Sequence, residues 1–121
     1  ICQYEYDLDK YFIDNYAYFI KSDNDILGFV LIDDNRNNNY EISEIFVLNN
    51  YKRNKIGKEV AIKVFDMYKG NWTIKAVPNS KVAESFWKMV VKDYTNNNYI
   101  EKYTGKYNRL EIYFSNGDLD D

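Results

Sequence analysis

Apolar and polar positions change their spacing along this chain, and the changes mark out its elements. Ala17 to Lys21 and Ile26 to Ile32 are short apolar runs around Ser22-Asp23-Asn24-Asp25, which predicts a β-hairpin. Asp33 to Asn39 is almost wholly Asn, Asp and Arg, and leads into Tyr40-Glu41-Ile42-Ser43-Glu44-Ile45-Phe46-Val47-Leu48, a third antiparallel strand. After Gly57 the apolar spacing lengthens from two to about 3.6 residues. Val60, Ala61, Val64, Phe65 and Tyr68 then share one face, opposite Lys58, Glu59, Lys63 and Asp66, so a helix over 57–68 is expected to pack on the sheet. Gly70 is expected to end it as a C′ residue. Trp72 to Val77 reads as a strand stopped by Pro78, and Asn79-Ser80 offers an N-cap to a helix over 80–92 with an apolar stripe of Val82, Ala83, Phe86, Trp87 and Val90. Glu84 and Lys88, four apart, are expected to pair on its exposed side. Tyr99 to Tyr103 and Leu110 to Ser115, around Gly105-Lys106-Tyr107-Asn108, read as a closing hairpin, and Asn116 to Asp121 as a frayed acidic tail. Ile1 to Phe12 has mixed spacing and reads as the end of a helix followed by irregular chain.

The stretch from Tyr40 to Val77 carries the most chemistry. Strand, cationic turn, helix and strand make a β-α-β unit, whose right-handed crossover implies parallel strands at Tyr40–Leu48 and Trp72–Val77. The turn Asn49-Asn50-Tyr51-Lys52-Arg53-Asn54-Lys55-Ile56-Gly57-Lys58 brings backbone N–H groups and positive charge to a helix start. The first N–H groups of a helix lack partners and the dipole is positive there, so the turn suits a phosphate group. A solvated helix start with scattered lysines is the plainer alternative; Gly57 and the flanking strands favour the phosphate.

Composition narrows the class. The 121 residues suit one domain, 1–121, and 45% hydrophobic and 18% aromatic content are globular values. No apolar run approaches the roughly 20 residues that cross a bilayer, so a soluble, cytoplasmic protein without a membrane partner is expected. A net charge of −3 gives no general attraction to nucleic acid. Cys2 is the only cysteine, which excludes an internal disulfide, and the absence of histidine excludes a His-dependent triad or a His-ligated metal.

Ser43 through Lys58 resembles motif A of the GNAT N-acetyltransferase superfamily, Gln/Arg-x-x-Gly-x-Gly/Ala, with Lys52 at the Gln/Arg position and Gly57 at the last. Val77-Pro78-Asn79-Ser80-Lys81-Val82-Ala83-Glu84-Ser85-Phe86-Trp87-Lys88 resembles the family's motif B, and Tyr94-Thr95-Asn96 the turn that follows it in bacterial members. The resemblance covers Tyr18 to Phe114. It implies an α/β fold: a mixed, mainly antiparallel sheet with helices on both faces and a central parallel pair splayed around acetyl-CoA. The family's first strand and much of its first helix are expected to be missing or shortened before Ile1, leaving an uncovered sheet edge.

What the resemblance implies about function is acetyl transfer from acetyl-CoA to a primary amine, by direct attack and without a metal. Backbone N–H groups of Arg53, Asn54, Lys55, Ile56, Gly57 and Lys58 would bind the pyrophosphate, and Gly57, lacking a Cβ, admits its close approach. Phe46, Val47 and Leu48 would pair through their main chain with the pantetheine arm, the Val47 N–H facing the developing oxyanion. Lys52, Ser80 and Trp87 complete the cofactor contacts. Glu44 is preferred over Glu41 as base, because alternation with Ile42 and Phe46 puts its carboxylate on an apolar face where desolvation raises its pKa. Three positions depart from the pattern. Lys55 stands where the first glycine is expected, Ser80 where asparagine is common, and Trp87 where many members have a tyrosine that protonates the leaving thiolate. Tryptophan cannot do so, which leaves water, Tyr94, or a CoA-binding or protein-interaction module without the chemistry. A different nucleotide-binding α/β domain is disfavoured by the lack of a Gly-x-Gly-x-x-Gly turn. The acceptor's identity and homodimer formation are left open.

Overall fold

The computed structural model describes residues 7–12, 16–23, 25–48 and 55–117. Its strands are β1 (Asp7–Phe12), β2 (Tyr16–Ser22), β3 (Asp25–Asp34), β4 (Asn39–Val47), β5 (Asn71–Lys75), β6 (Ile100–Thr104) and β7 (Arg109–Ser115). The helices are α1 (Ile56–Met67), between β4 and β5, and α2 (Lys81–Thr95), between β5 and β6. They form one sheet in the order β1-β2-β3-β4-β5-β7-β6. Every neighbouring pair is antiparallel except β4 and β5, the parallel pair expected from the crossover.

Both helices bury their stripes on the same sheet face. Val60, Ala61, Val64 and Phe65 of α1 and Trp87, Val90 and Val91 of α2 join Val30, Ile42, Val47, Trp72, Ile74 and Ile112 in one core cluster. Phe114 of β7 meets the ring of Phe65 on α1 at 4.9 Å and that of Tyr94 on α2 at 5.7 Å, which places both helices on its side. The two described helices thus share one face of the sheet. The other face carries Phe29, Leu31, Glu44 and Phe46, and none of them belongs to the core cluster.

Other expectations change where tertiary contacts override local pattern. Of the segment Ile1 to Phe12, read as a helix end and irregular chain, residues 7–12 are the edge strand β1, hydrogen-bonded to β2 in antiparallel register, and residues 1–6 lie outside the described residues. Gly70 does not take the left-handed conformation expected of a C′ residue. It is needed instead for space, since a Cβ there would lie 2.1 Å from the Asn38 carbonyl oxygen. Asn116, expected in a frayed tail, is tied in: its Nδ2 donates to the Phe65 carbonyl at 2.7 Å and its Oδ1 accepts from the Gly70 N–H at 2.9 Å. Lys88 pairs with Glu101 across to β6 at 3.5 Å rather than with Glu84. Residues 118–121 of the expected tail lie outside the described residues.

Candidate active site

The parallel pairing of β4 with β5 is short. Its register runs Asn39 to Asn71, Tyr40 to Trp72 and Glu41 to Thr73, and stops there. Beyond that point the strands part, and a cavity of about 770 Å³ opens between them and runs to the first turn of α1 and one side of α2. Ile42, Ser43, Glu44, Ile45 and Val47 line it from β4, Lys75 and Val77 from the β5 side, Lys55, Gly57 and Lys58 from the α1 end. Ser80, Val82, Ala83, Phe86, Trp87 and Met89 complete the wall.

Hydrogen-bond direction along β4 sets which backbone groups face this gap. The Leu48 N–H donates to the Leu27 carbonyl at 2.8 Å, and the β3–β4 register pairs Val47 with Gly28 and Phe46 with Phe29. In an antiparallel ladder, bonded and non-bonded pairs alternate. Leu48 and Phe46 therefore face β3, whereas the N–H and C=O of Val47 and Ile45 point the other way, into the gap. Phe46 and Leu48, expected to meet a cofactor arm through their main chain, are corrected on this ground. Ile45, which the motif-based reading missed, has the orientation expected of them; the signal was the parity of the ladder, which needs the register to be known. Gly28 was also missed. A Cβ on it would lie 2.0 Å from the Phe46 carbonyl oxygen, so only glycine lets β4 run this close to β3 beside Val47.

At the opposite end, Lys55 is the N-cap of α1 and adopts the left-handed conformation at φ 62°, which the glycine expected at its position would take without strain. The N–H groups of the first turn, Ile56 to Lys58, have no intrahelical partners. The Ile56 side chain is wholly buried in the core, leaving its main chain alone for a ligand. A Cβ at Gly57 would make only ordinary contact, 3.4 Å from Phe86 Cζ and 4.0 Å from Val47 Cγ2, so a larger side chain is what would fill the space beside this turn. Lys58 Nζ bonds Asp93 Oδ2 of α2 at 2.5 Å, and that hydrogen bond and charge hold the Asp93 carboxyl below its usual range. Lys52, Arg53 and Asn54 lie outside the described residues.

Ser80 lines the cavity and caps α2, its Oγ accepting from the Ala83 N–H at 3.1 Å. Val82, expected in the buried stripe, is 82% exposed and belongs to the cavity rim. Trp87 is 8% exposed and packs edge-on against Phe86 at the wall. Tyr94 does not reach the cavity. It sits two helical turns beyond Trp87, about 10 Å along the axis, where its hydroxyl donates to Asp66 Oδ1 at 2.7 Å and accepts from Asn116 Nδ2 at 3.0 Å. Burial, aided by Asp66, raises its pKa against the bond from Asn116; its expected role as acid is corrected.

Among the described residues Glu44 is the one carboxylate on the cavity wall, and it is exposed. The register passes from Leu31 opposite Glu44 to Ile32 opposite Ile42, so Ser43 is an extra residue in β4. This β-bulge puts Ile42 and Glu44 on opposite faces. The apolar, water-poor surround expected for the Glu44 carboxylate is therefore absent. Glu41 is engaged by Lys75 Nζ at 3.7 Å. Among the described residues no group of three or more His, Cys, Asp or Glu side chains is placed to hold a metal ion.

A sequence model of the acetyltransferase (GNAT) family matches residues 2–89. No curated protein matches the sequence. Among solved structures, a Bacillus subtilis acetyltransferase in complex with CoA superposes with a TM-score of 0.66 at 10% identity, over 92% of this chain and 97% of its own. An IAA acetyltransferase from Bacillus cereus gives 0.61 at 13% identity, over 84% and 77%. A Staphylococcus aureus acetyltransferase of the same family gives 0.57 at 16% identity, over 84% and 68%.

Proposed function

The chain belongs to the GNAT acetyltransferase family, and we propose on that footing that it transfers acetyl from acetyl-CoA to a primary amine by direct attack in a ternary complex. The observation that carries this reading is the gap beyond Glu41 and Thr73, with the Ile45 and Val47 backbone groups turned into it and the free first-turn N–H groups of α1 at its end. Acetyl-CoA supplies the acyl thioester. Ile56, Gly57 and Lys58 would hold its pyrophosphate through their N–H groups, with Lys55 adding positive charge. Ile45 and Val47 would pair with the extended pantetheine arm as with an added strand.

In the chemical step Val47 donates its N–H to the carbonyl oxygen that becomes negative when the amine nitrogen bonds to the acyl carbon. Glu44 accepts the amine proton, and its exposure gives that proton a way out to water. The carbon–sulfur bond then breaks, and water protonates the thiolate, because the indole N–H of Trp87 is far too weak an acid to give up its proton. The products are the amide and free CoA. Trp87 is also the reason to keep a second reading, a CoA-binding module that does not turn over.

The experiment is a calorimetric titration with acetyl-CoA followed by thiol release over an amine panel. Wild type is expected to bind and Gly57→Trp to lose binding, because the larger side chain fills the space between the α1 turn and Phe86. Equal affinity of the two proteins would remove the site. Binding without thiol release from any amine would favour the second reading.

A further inference from the structure

Glu44 sits at the corner of a two-by-two array on the helix-free face. Across from it in register is Leu31, and the next pair along is Phe29 opposite Phe46. The two phenylalanine rings stack with centroids 5.5 Å apart and planes inclined by 28°, and Phe46 keeps 42% of its surface exposed. Residues two apart on a strand are separated by about 7 Å, so an apolar floor one aromatic ring wide adjoins the carboxylate at the rim of the gap. Neither α1 nor α2 covers this floor, since both lie on the other face.

The charges around the gap limit what can sit there. Across the gap Lys75 is paired with Glu41 at 3.7 Å. Glu111 accepts hydrogen bonds from the hydroxyls of Thr104, at 2.6 Å, and Tyr113. These bonds, helped by the charges of Lys75 and Lys102, hold the Glu111 carboxyl below its usual range. Glu41 and Glu111 are thus already engaged, and Glu44 is the carboxylate at the rim with no ion-pair partner among the described residues. One spare carboxylate matches one ammonium.

We propose that Leu31, Glu44, Phe29 and Phe46 form the acceptor seat, and that it selects a monoamine borne on an aromatic body. This rests on the transferase reading above and adds the substrate class to it. The ring lies on the Phe29–Phe46 floor, the ammonium meets Glu44, and the nitrogen faces the gap where Val47 presents its N–H. Polyamines and lysine side chains in peptides lack the ring that the floor accommodates.

Titration calorimetry with 2-phenylethylamine, spermidine and a lysine-containing peptide, on protein with and without saturating CoA, tests the seat independently of turnover. The expected result is that 2-phenylethylamine binds at least tenfold more tightly than the other two. Phe29→Ala should remove that preference while keeping wild-type CoA affinity, which also shows that the variant is folded. Glu44→Gln should weaken all cationic ligands together. Spermidine or the peptide binding as tightly as the aromatic amine overturns the proposal, as does no amine binding to a protein that binds CoA. Aromatic amine binding by a protein that fails to bind CoA would keep the seat and overturn the transferase reading instead.

Discussion

Gly28 and Trp87 exert their effects through single atoms. The missing Cβ at Gly28 sets how near β4 approaches β3 at the point where Val47 turns its N–H outward. Gly28→Ala should therefore destabilise the fold by about 1–3 kcal/mol and weaken CoA binding, seen as a lower denaturant midpoint and a weaker titration. An unchanged midpoint would mean that β4 yields without cost. Trp87 acts through the acidity its indole N–H lacks. If thiolate protonation limits turnover, Trp87→Tyr should raise kcat on the order of tenfold or more without tightening acetyl-CoA binding, whereas Trp87→Phe should leave kcat near wild type. Glu44→Gln should depress kcat by about a hundredfold with little effect on acetyl-CoA affinity. Full activity in that variant would pass the proton-accepting role to Glu41 or to water.

The two helices are held to each other as well as to the sheet. Lys58 in the first turn of α1 reaches Asp93 near the end of α2, next to the turn that would carry the pyrophosphate. The pKa of Asp93 is lowered in the folded protein, chiefly by its hydrogen bond to Lys58. A depressed carboxyl contributes stability above its unfolded pKa, and that contribution is lost as pH falls through the folded value. Melting temperatures of wild type and Asp93→Asn should thus differ near neutrality and converge below the ordinary value of 3.8. A gap that persists unchanged into acid would show that the pair adds no pH-dependent stability. How much of these elements was legible differs along the chain. The helices at 56–67 and 81–95 announce themselves through 3.6-residue apolar spacing and the Ser80 cap. The edge strand at Asp7–Phe12 does not, because an edge strand is stabilised by its neighbour's ladder more than by its own pattern.

Across the molecule, function depends on two strands that begin as neighbours and then separate. The amides of Ile45 and Val47 should exchange rapidly with deuterium in the free protein, having no ladder partner, while that of Leu48 is protected by Leu27. Addition of CoA should slow Ile45 and Val47 and leave Leu48 unaffected, if the arm pairs with β4 as proposed. Slow exchange at Val47 before any ligand is added would show that the gap closes in solution. Local periodicity, turn chemistry and the two motifs were enough to establish the strands around the crossover, both helices, the parallel pair and the family, because these depend on residues close together in sequence. The bulge at Ser43, the parity that aims Val47 and not Phe46 into the gap, the removal of Tyr94 to Asp66 and Asn116, and the exposure of Glu44 were decided by tertiary structure. Each is set by the register of one strand against another, or by contacts between residues as much as 28 positions apart, and a one-residue change of register reverses which side of a strand faces the site.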